Sequence, residues 1–247
     1  MSTVDTLLHS LQADAPVRQV LVGSFWTAVV LDTHPLRCGL ASTLRGEAHE
    51  AGPPVRAAGH LLERSGRELA ELLRSSSVLE ASIGMAAFNA LLEVDEEACV
   101  PINAADVILQ RGTGKRVAIV GHFPFVERVR QAAATCWVVE LRPQPGDLPA
   151  DLADEILPQA DVVALTGTSL INHSFDDLLS LCRPDAFVLL LGATTPLCPL
   201  LFESGIDALS GTRVIEPQMV LRSVSQGATF RQIKRVGGLR LLTWPRS

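Results

Sequence analysis

Four stretches of this sequence collect side chains that can hold a ligand or move a proton. The first is Gly121-His122-Phe123-Pro124-Phe125. Its imidazole can serve as general base, metal ligand or hydrogen-bond donor, or simply bond a loop carbonyl. Phe123 and Phe125 suit a planar ligand and equally suit a loop core. The second is Glu140, at the position where a Rossmann sheet often holds an acid for a ribose hydroxyl, though it can also cap a neighbouring helix. The third is Thr166-Gly167-Thr168, running on through Ser169 to Asn172, and the fourth is Thr194-Thr195-Pro196. Threonine hydroxyls and backbone N–H groups in such turns can bind an anion at a helix N-terminus. They can also do no more than cap that helix, as Ser174 is expected to do for its own. Asn172 offers a two-sided amide, or an ordinary turn asparagine.

These stretches have one thing in common: each follows a short apolar run. Val117-Ala118-Ile119-Val120 ends at Gly121, after which Val126, Val129 and Ala133 recur at helical spacing. From residue 116 onward, strands are expected at 116–120, 136–141, 161–165, 186–191 and 212–215, with helical text between them and a last helix from Pro217. Strand–helix alternation of this kind means an open, mostly parallel, Rossmann-like sheet, whose strand ends converge on a ligand site. The first turn is not G-x-G-x-x-G. Two aromatic rings and a proline fill the space a pyrophosphate would need, which argues against an ordinary dinucleotide, and no cofactor is assigned.

The first half has different grammar. Val4, Leu7, Leu8 and Leu11 mark an amphipathic helix, followed by an antiparallel meander at 19–23, 27–31 and 37–41. Ser65 and Ser77 can cap two further helices, the second carrying Gly84 in its interior at a cost of about 1 kcal/mol relative to alanine. The expected organisation is therefore α/β: a small α+β domain over 1–100, then a Rossmann-like domain over 101–247. The edge of the meander must be covered or paired, so a homodimer is expected.

Bulk composition removes several classes. With 247 residues, 47% hydrophobic and 19% charged, the chain is globular. A net charge of −6 with no Lys/Arg run argues against nucleic acid. No apolar run is long enough for a membrane span, and the first residues lack a signal-peptide pattern. Five scattered cysteines without C-x-x-C fit a reduced, cytoplasmic setting. The histidines (His9, His34, His49, His60, His122, His173) include no H-x-x-x-H, so no closed zinc site is written and no metal ligand is assigned. His122, His173 and Cys198 form the weak exception, three donors that could meet at the strand edge. G-x-S-x-G, Walker and kinase motifs are absent.

The motifs together resemble a family of uncharacterised prokaryotic proteins known as putative heavy-metal chelation proteins. The resemblance rests on Ser82-Ile83-Gly84-Met85-Ala86-Ala87-Phe88-Asn89-Ala90-Leu91, the His122 and Thr166–Asn172 stretches, Thr195-Pro196-Leu197-Cys198-Pro199, and Gly205-Ile206-Asp207-Ala208-Leu209-Ser210-Gly211. One departure is Gly192-Ala193-Thr194, where glycine-proline-serine is expected. The resemblance implies an enolase-N-terminal-like domain ahead of the Rossmann-like one, with the site between them. Asn89 and Gly84, or Ala41-Ser42-Thr43, would then face His122. It also implies work on pterin-, flavin- or siderophore-like small molecules, or on chelated metal.

Two functions fit. One is an enzyme in which His122 moves protons, Glu140 and Asn172 orient the substrate, and the threonine–glycine loops hold its anionic groups. The other is a binding protein that carries a metal–chelate complex without chemistry. A second titratable group facing His122 would favour the first.

Overall fold

The computed structural model describes residues 1–46 and 52–246. Helix α1 (Thr3–Ser10) starts with reciprocal bonds between Ser2 and Asp5. Strands β1 (Val17–Val22), β2 (Trp26–Leu31) and β3 (Arg37–Ser42) follow as an antiparallel sheet in that spatial order. Helices α2 (Gly66–Ala70) and α3 (Val78–Leu91) come next, each opened by a serine, Ser65 and Ser77, as the sequence predicts. Almost every residue of α3 is buried. The helix is apolar all round because it is enclosed on two sides, by β2 and β3 and by the segment after α2.

Glycines make that enclosure possible. A Cβ at Gly39 of β3 would lie 2.0 Å from the Ala86 carbonyl oxygen, and one at Gly84 would lie 2.1 Å from the Leu73 nitrogen. Gly84, locally unfavourable in a helix, is therefore where the chain after α2 crosses α3 at backbone contact.

The second half runs α4 (Ala104–Gly112), β4 (Arg116–Val120), α5 (Val126–Ala132), β5 (Thr135–Glu140), β6 (Leu148–Pro149), α6 (Ala153–Ile156), β7 (Val162–Thr166), α7 (Phe175–Ser180), β8 (Phe187–Leu191), β9 (Ala208–Val214), α8 (Pro217–Ser225), α9 (Phe230–Val236) and β10 (Leu239–Pro245). The sheet order is β10-β9-β8-β7-β4-β5-β6, parallel throughout except that β10 runs antiparallel to β9. From β4 the chain steps outward to β5 and β6, then crosses back to β7 on the other side. That reversal leaves a crevice beyond the carboxyl ends of β4 and β7, because the helices following these two strands pack on opposite faces.

Besides the two-residue edge strand β6, which the sequence does not predict, two details differ from the expectation. The sixth parallel strand begins at Ala208, not 212, and passes straight through Ser210 and Gly211. There Ser210 bonds Thr243 at 2.7 Å, and a side chain at Gly211 would meet the Thr195 carbonyl at 2.6 Å. Helix α9 was also not foreseen. Its start is set by a capping box between Thr229 and Gln232, and its interior buries only Ile233, too little apolar periodicity to recognise.

Replacing Gly39 or Gly84 by alanine should lower unfolding stability by about 3 kcal/mol each, since the obstructing atoms are backbone. Urea denaturation midpoints check this, and an unchanged midpoint for Gly84→Ala would contradict the close crossing.

Candidate functional site

The crevice is built by two turns and a brace. Gly121 adopts φ 102°, a left-handed conformation in which its N–H reaches the Val139 carbonyl at 2.9 Å. The next N–H, from His122, donates to Glu140 Oε2 at 2.9 Å, while Glu140 Oε1 accepts the Arg142 N–H at 3.2 Å. Glu140 thus ties the loop after β4 to the loop after β5.

The imidazole is held by a group the sequence reading did not include. His122 Nδ1 lies 2.8 Å from Asp147 Oδ2, and the Asp147 side chain is fully shielded from solvent. Asp147 also accepts the Gln144 N–H at 3.1 Å and the Arg130 guanidinium at 3.2 Å. Arg130 in turn donates to the Gly146 carbonyl at 2.8 Å and to Glu127 at 2.7 Å. Desolvation opposes ionisation of Asp147, but the Gln144 N–H, the His122 ring and Arg130 outweigh it and hold the carboxyl below its usual range. An ionised carboxylate only accepts, so Nδ1 carries a proton, and in the neutral tautomer that this fixes Nε2 is the acceptor. Among the described residues, Nε2 has no protein partner.

The second turn follows β7. Thr166 and Thr168 hydroxyls bond each other at 2.9 Å, and Ser169 Oγ donates to the Thr166 carbonyl at 2.7 Å. Asn172 Oδ1 accepts both the N–H of Ser174, at 3.2 Å, and its hydroxyl, at 2.7 Å. Ser174 therefore does not cap α7 with its side chain, because its hydroxyl fixes the Asn172 amide, whose NH2 group has no partner among the described residues. His173, between them, is a non-glycine residue at φ 62°, and its Nε2 reaches the Ser75 carbonyl in the first half at 3.0 Å.

These groups enclose a cavity of about 360 Å³. Its polar lining includes Ser42, His122, Glu140, Thr166, Thr168 and Asn172, and its apolar wall includes Val120, Phe123, Leu141 and Leu178. No lysine or arginine lines it among the described residues.

The other residues singled out from the sequence lie apart from the cavity. Phe125 stacks behind Phe123, with centroids 5.2 Å apart and planes at 10°, and Pro124 is exposed. Gly167 packs on Thr195, whose Oγ1 would come within 2.6 Å of a Cβ there. Thr194, Thr195 and Pro196 are buried. Thr194 is a junction between the halves: its hydroxyl bonds the Ser42 N–H at 3.0 Å and the Ser42 hydroxyl at 2.9 Å, while its carbonyl accepts from Asn89 at 3.1 Å. The same Asn89 NH2 donates to the Leu40 carbonyl at 3.0 Å. Asn89 and Thr194 therefore hold β3 against the loop after β8, and Ser42, at the end of β3, is carried into the cavity wall. Asp147 escaped notice because Pro145-Gly146-Asp147 reads as an ordinary turn. Only the fold brings it beside His122, 25 residues away in sequence.

Among the described residues, no three His, Cys, Asp or Glu side chains gather at one point. His173 faces Ser75, Cys198 is buried, and His49 lies outside the described residues. Burial also pushes thiols away from the thiolate form that soft metals need, Cys38 to about 12 and Cys136 and Cys182 to about 11. No helix among the described residues is long and apolar enough to cross a membrane.

Strand order and crevice define a Rossmann-like α/β protein whose cavity at the topological switch point is walled in part by Ser42 of a preceding α+β unit. Residues 103–243 match the DUF364 family and residues 4–92 match DUF4213, both described as "Putative heavy-metal chelation", and the chain belongs to this family. An uncharacterized protein, MJ0500 of Methanocaldococcus jannaschii, is 28% identical over 162 residues, a match spanning 62% of each chain. A crystal structure of a DUF364 protein of unknown function from Desulfitobacterium hafniense superimposes with a TM-score of 0.84 at 26% identity, covering 98% of this chain and 97% of that one. A second, from Pyrococcus horikoshii, has a TM-score of 0.82 at 20% identity and covers 98% of each chain.

Asn89→Ala should cost about 1–3 kcal/mol, because it leaves two carbonyls at the junction without their donor, and thermal unfolding reads the loss. Asp147 gives a pH signature. Its folded carboxyl ionises more readily than the ordinary value of 3.8, so its stabilisation is complete above that value and disappears as pH falls through the folded one. Melting temperatures across the acid range should fall less steeply for Asp147→Asn than for the unaltered protein, and parallel curves would refute the assignment.

Proposed function

We propose that the cavity binds one small organic molecule and that His122 moves a proton to or from it. The observation that carries this reading is the His122–Asp147 pair. A buried, ionised aspartate clamped by Arg130 orients the ring and supports positive charge on it, and the free Nε2 is available to a ligand. Asp147 is a second titratable group facing His122, which favours an enzyme over a simple carrier.

The lining limits the ligand. A cavity of about 360 Å³ suits a compact molecule of one or two rings. Phe123 provides an aromatic surface, the Asn172 NH2 a donor, and Glu140 and His122 Nε2 acceptors. Without a cationic side chain the site favours N–H and O–H groups over phosphates. A pterin-, flavin- or chelator-like heterocycle meets these requirements, whereas anchoring of anionic groups by the threonine turns finds little support in a wall free of arginine and lysine.

Membership of a family described by heavy-metal chelation favours a second reading, carriage of a metal already wrapped in an organic chelator. The scattered protein donors are compatible with it, because a chelate brings its own ligands.

Melting-temperature shifts with pterins, flavin precursors, S-adenosylmethionine and metal–chelator complexes test both readings. A compound that raises the melting temperature should do so less in Asn172→Ala. If His122 is a proton carrier, turnover of that compound should drop by about 10²–10⁴-fold in His122→Ala, with Asp147→Asn intermediate. Binding that depends on Asn172 without any turnover would establish the carrier. Shifts indifferent to all three substitutions would remove the cavity from consideration.

A further inference from the structure

A second cavity, of about 480 Å³, opens at the opposite edge of the large sheet. It lies where β8 begins at Phe187, β9 begins at Ala208 and β10 ends at Pro245, so the full length of the strands separates it from His122. Two arginines line it, Arg111 from the last turn of α4 and Arg246 just after β10. Neither is in an ion pair among the described residues. The neighbouring cations differ: Arg213 and Arg240, on β9 and β10, share Glu96.

Both arginines are positioned. The Arg111 guanidinium lies 4.7 Å from the centre of the Phe187 ring, a cation–π contact that holds it at the cavity, and no acceptor among the described residues takes its N–H groups. Arg246 is anchored through its backbone, whose N–H donates to the Asp207 carbonyl at 2.8 Å. The acid in the lining, Asp207, pairs with neither guanidinium and instead accepts the Val188 N–H at 2.7 Å. Val100, Ile102, Val107 and Pro245 supply an apolar wall beside them.

We infer that this cavity is a second ligand site, taking a small organic anion with its apolar body on that wall and its carboxylate or phosphate between Arg111 and Arg246. A guanidinium presents paired N–H donors that match either oxyanion, and the apolar wall beside the arginines can take the body of the ligand. Volume, paired cations and apolar lining together distinguish the site from a single surface arginine.

Calorimetric titration with benzoate, phenyl phosphate and benzyl alcohol, at constant ionic strength, tests the inference. At least one of the two anions should bind while the alcohol does not, and the tighter of the two identifies the head group. Arg111→Gln and Arg246→Gln should each weaken that binding by about tenfold. Arg18→Gln, at the Asp32 pair on β1, should leave it unchanged, and circular dichroism should show all three variants folded. No heat with either anion up to about 10 mM, or equal affinity in all variants, would overturn the site. Neither outcome bears on the His122 cavity, whose variants are separate.

Discussion

The Thr194 junction sets the geometry on which the cavity depends. One hydroxyl and one carbonyl, both withdrawn from water, bond Ser42 and Asn89 and so join the end of β3 to the loop after β8. Buried polar groups of this kind are costly unless satisfied, which makes the docking of the two sheets specific as well as tight. Other polar bonds also join the halves, such as His173 to the Ser75 carbonyl, but those lie away from the end of β3, which the Thr194 junction alone fixes against the loop after β8 among the polar contacts of the described residues. Through that junction, Ser42 reaches the same space as His122 and Thr166. Where the family resemblance leads one to expect a serine, this chain has Thr194, and the hydroxyl is the part that the junction uses.

Close backbone approach has the same purpose. Gly39 lets β3 lie directly on α3, Gly84 lets the preceding segment cross that helix, and Gly167 lets the turn after β7 rest on Thr195. Each brings main chain where a side chain would hold it off by several ångströms. The cavity is small because its walls are close.

Electrostatics then decides what the cavity can do. Arg130 and the Gln144 N–H keep Asp147 ionised although it is shielded, Asp147 keeps a proton on Nδ1, and Nε2 is left without a protein partner among the described residues. Glu140 is drawn into the same arrangement by holding the His122 N–H. A residue that in a dinucleotide-binding sheet would meet a ribose here braces the loop bearing the histidine, so the same position in the fold serves a different purpose.

Much of this could be read from the chain. Apolar strand runs, helical periodicity, serine caps and glycine turns are local signals, and they determined the α/β class, the alternation and the identity of the strand ends carrying His122, Glu140, Thr166 and Asn172. Their limits were local too. Gly211 and Ser210 fall outside the strand expected from sequence because their reason for being in it lies across the sheet, in Thr195 and Thr243. Asn89 and Thr194 read as ligand groups because nothing in sequence shows that they satisfy carbonyls and N–H groups of the other half. Asp147 read as part of a loop because its partner is reached only through the β4–β5 pairing. Local sequence determines which residues stand at the edge of the sheet. Only tertiary packing, which joins groups distant along the chain and removes them from water, decided which of them face the cavity and which hold it together.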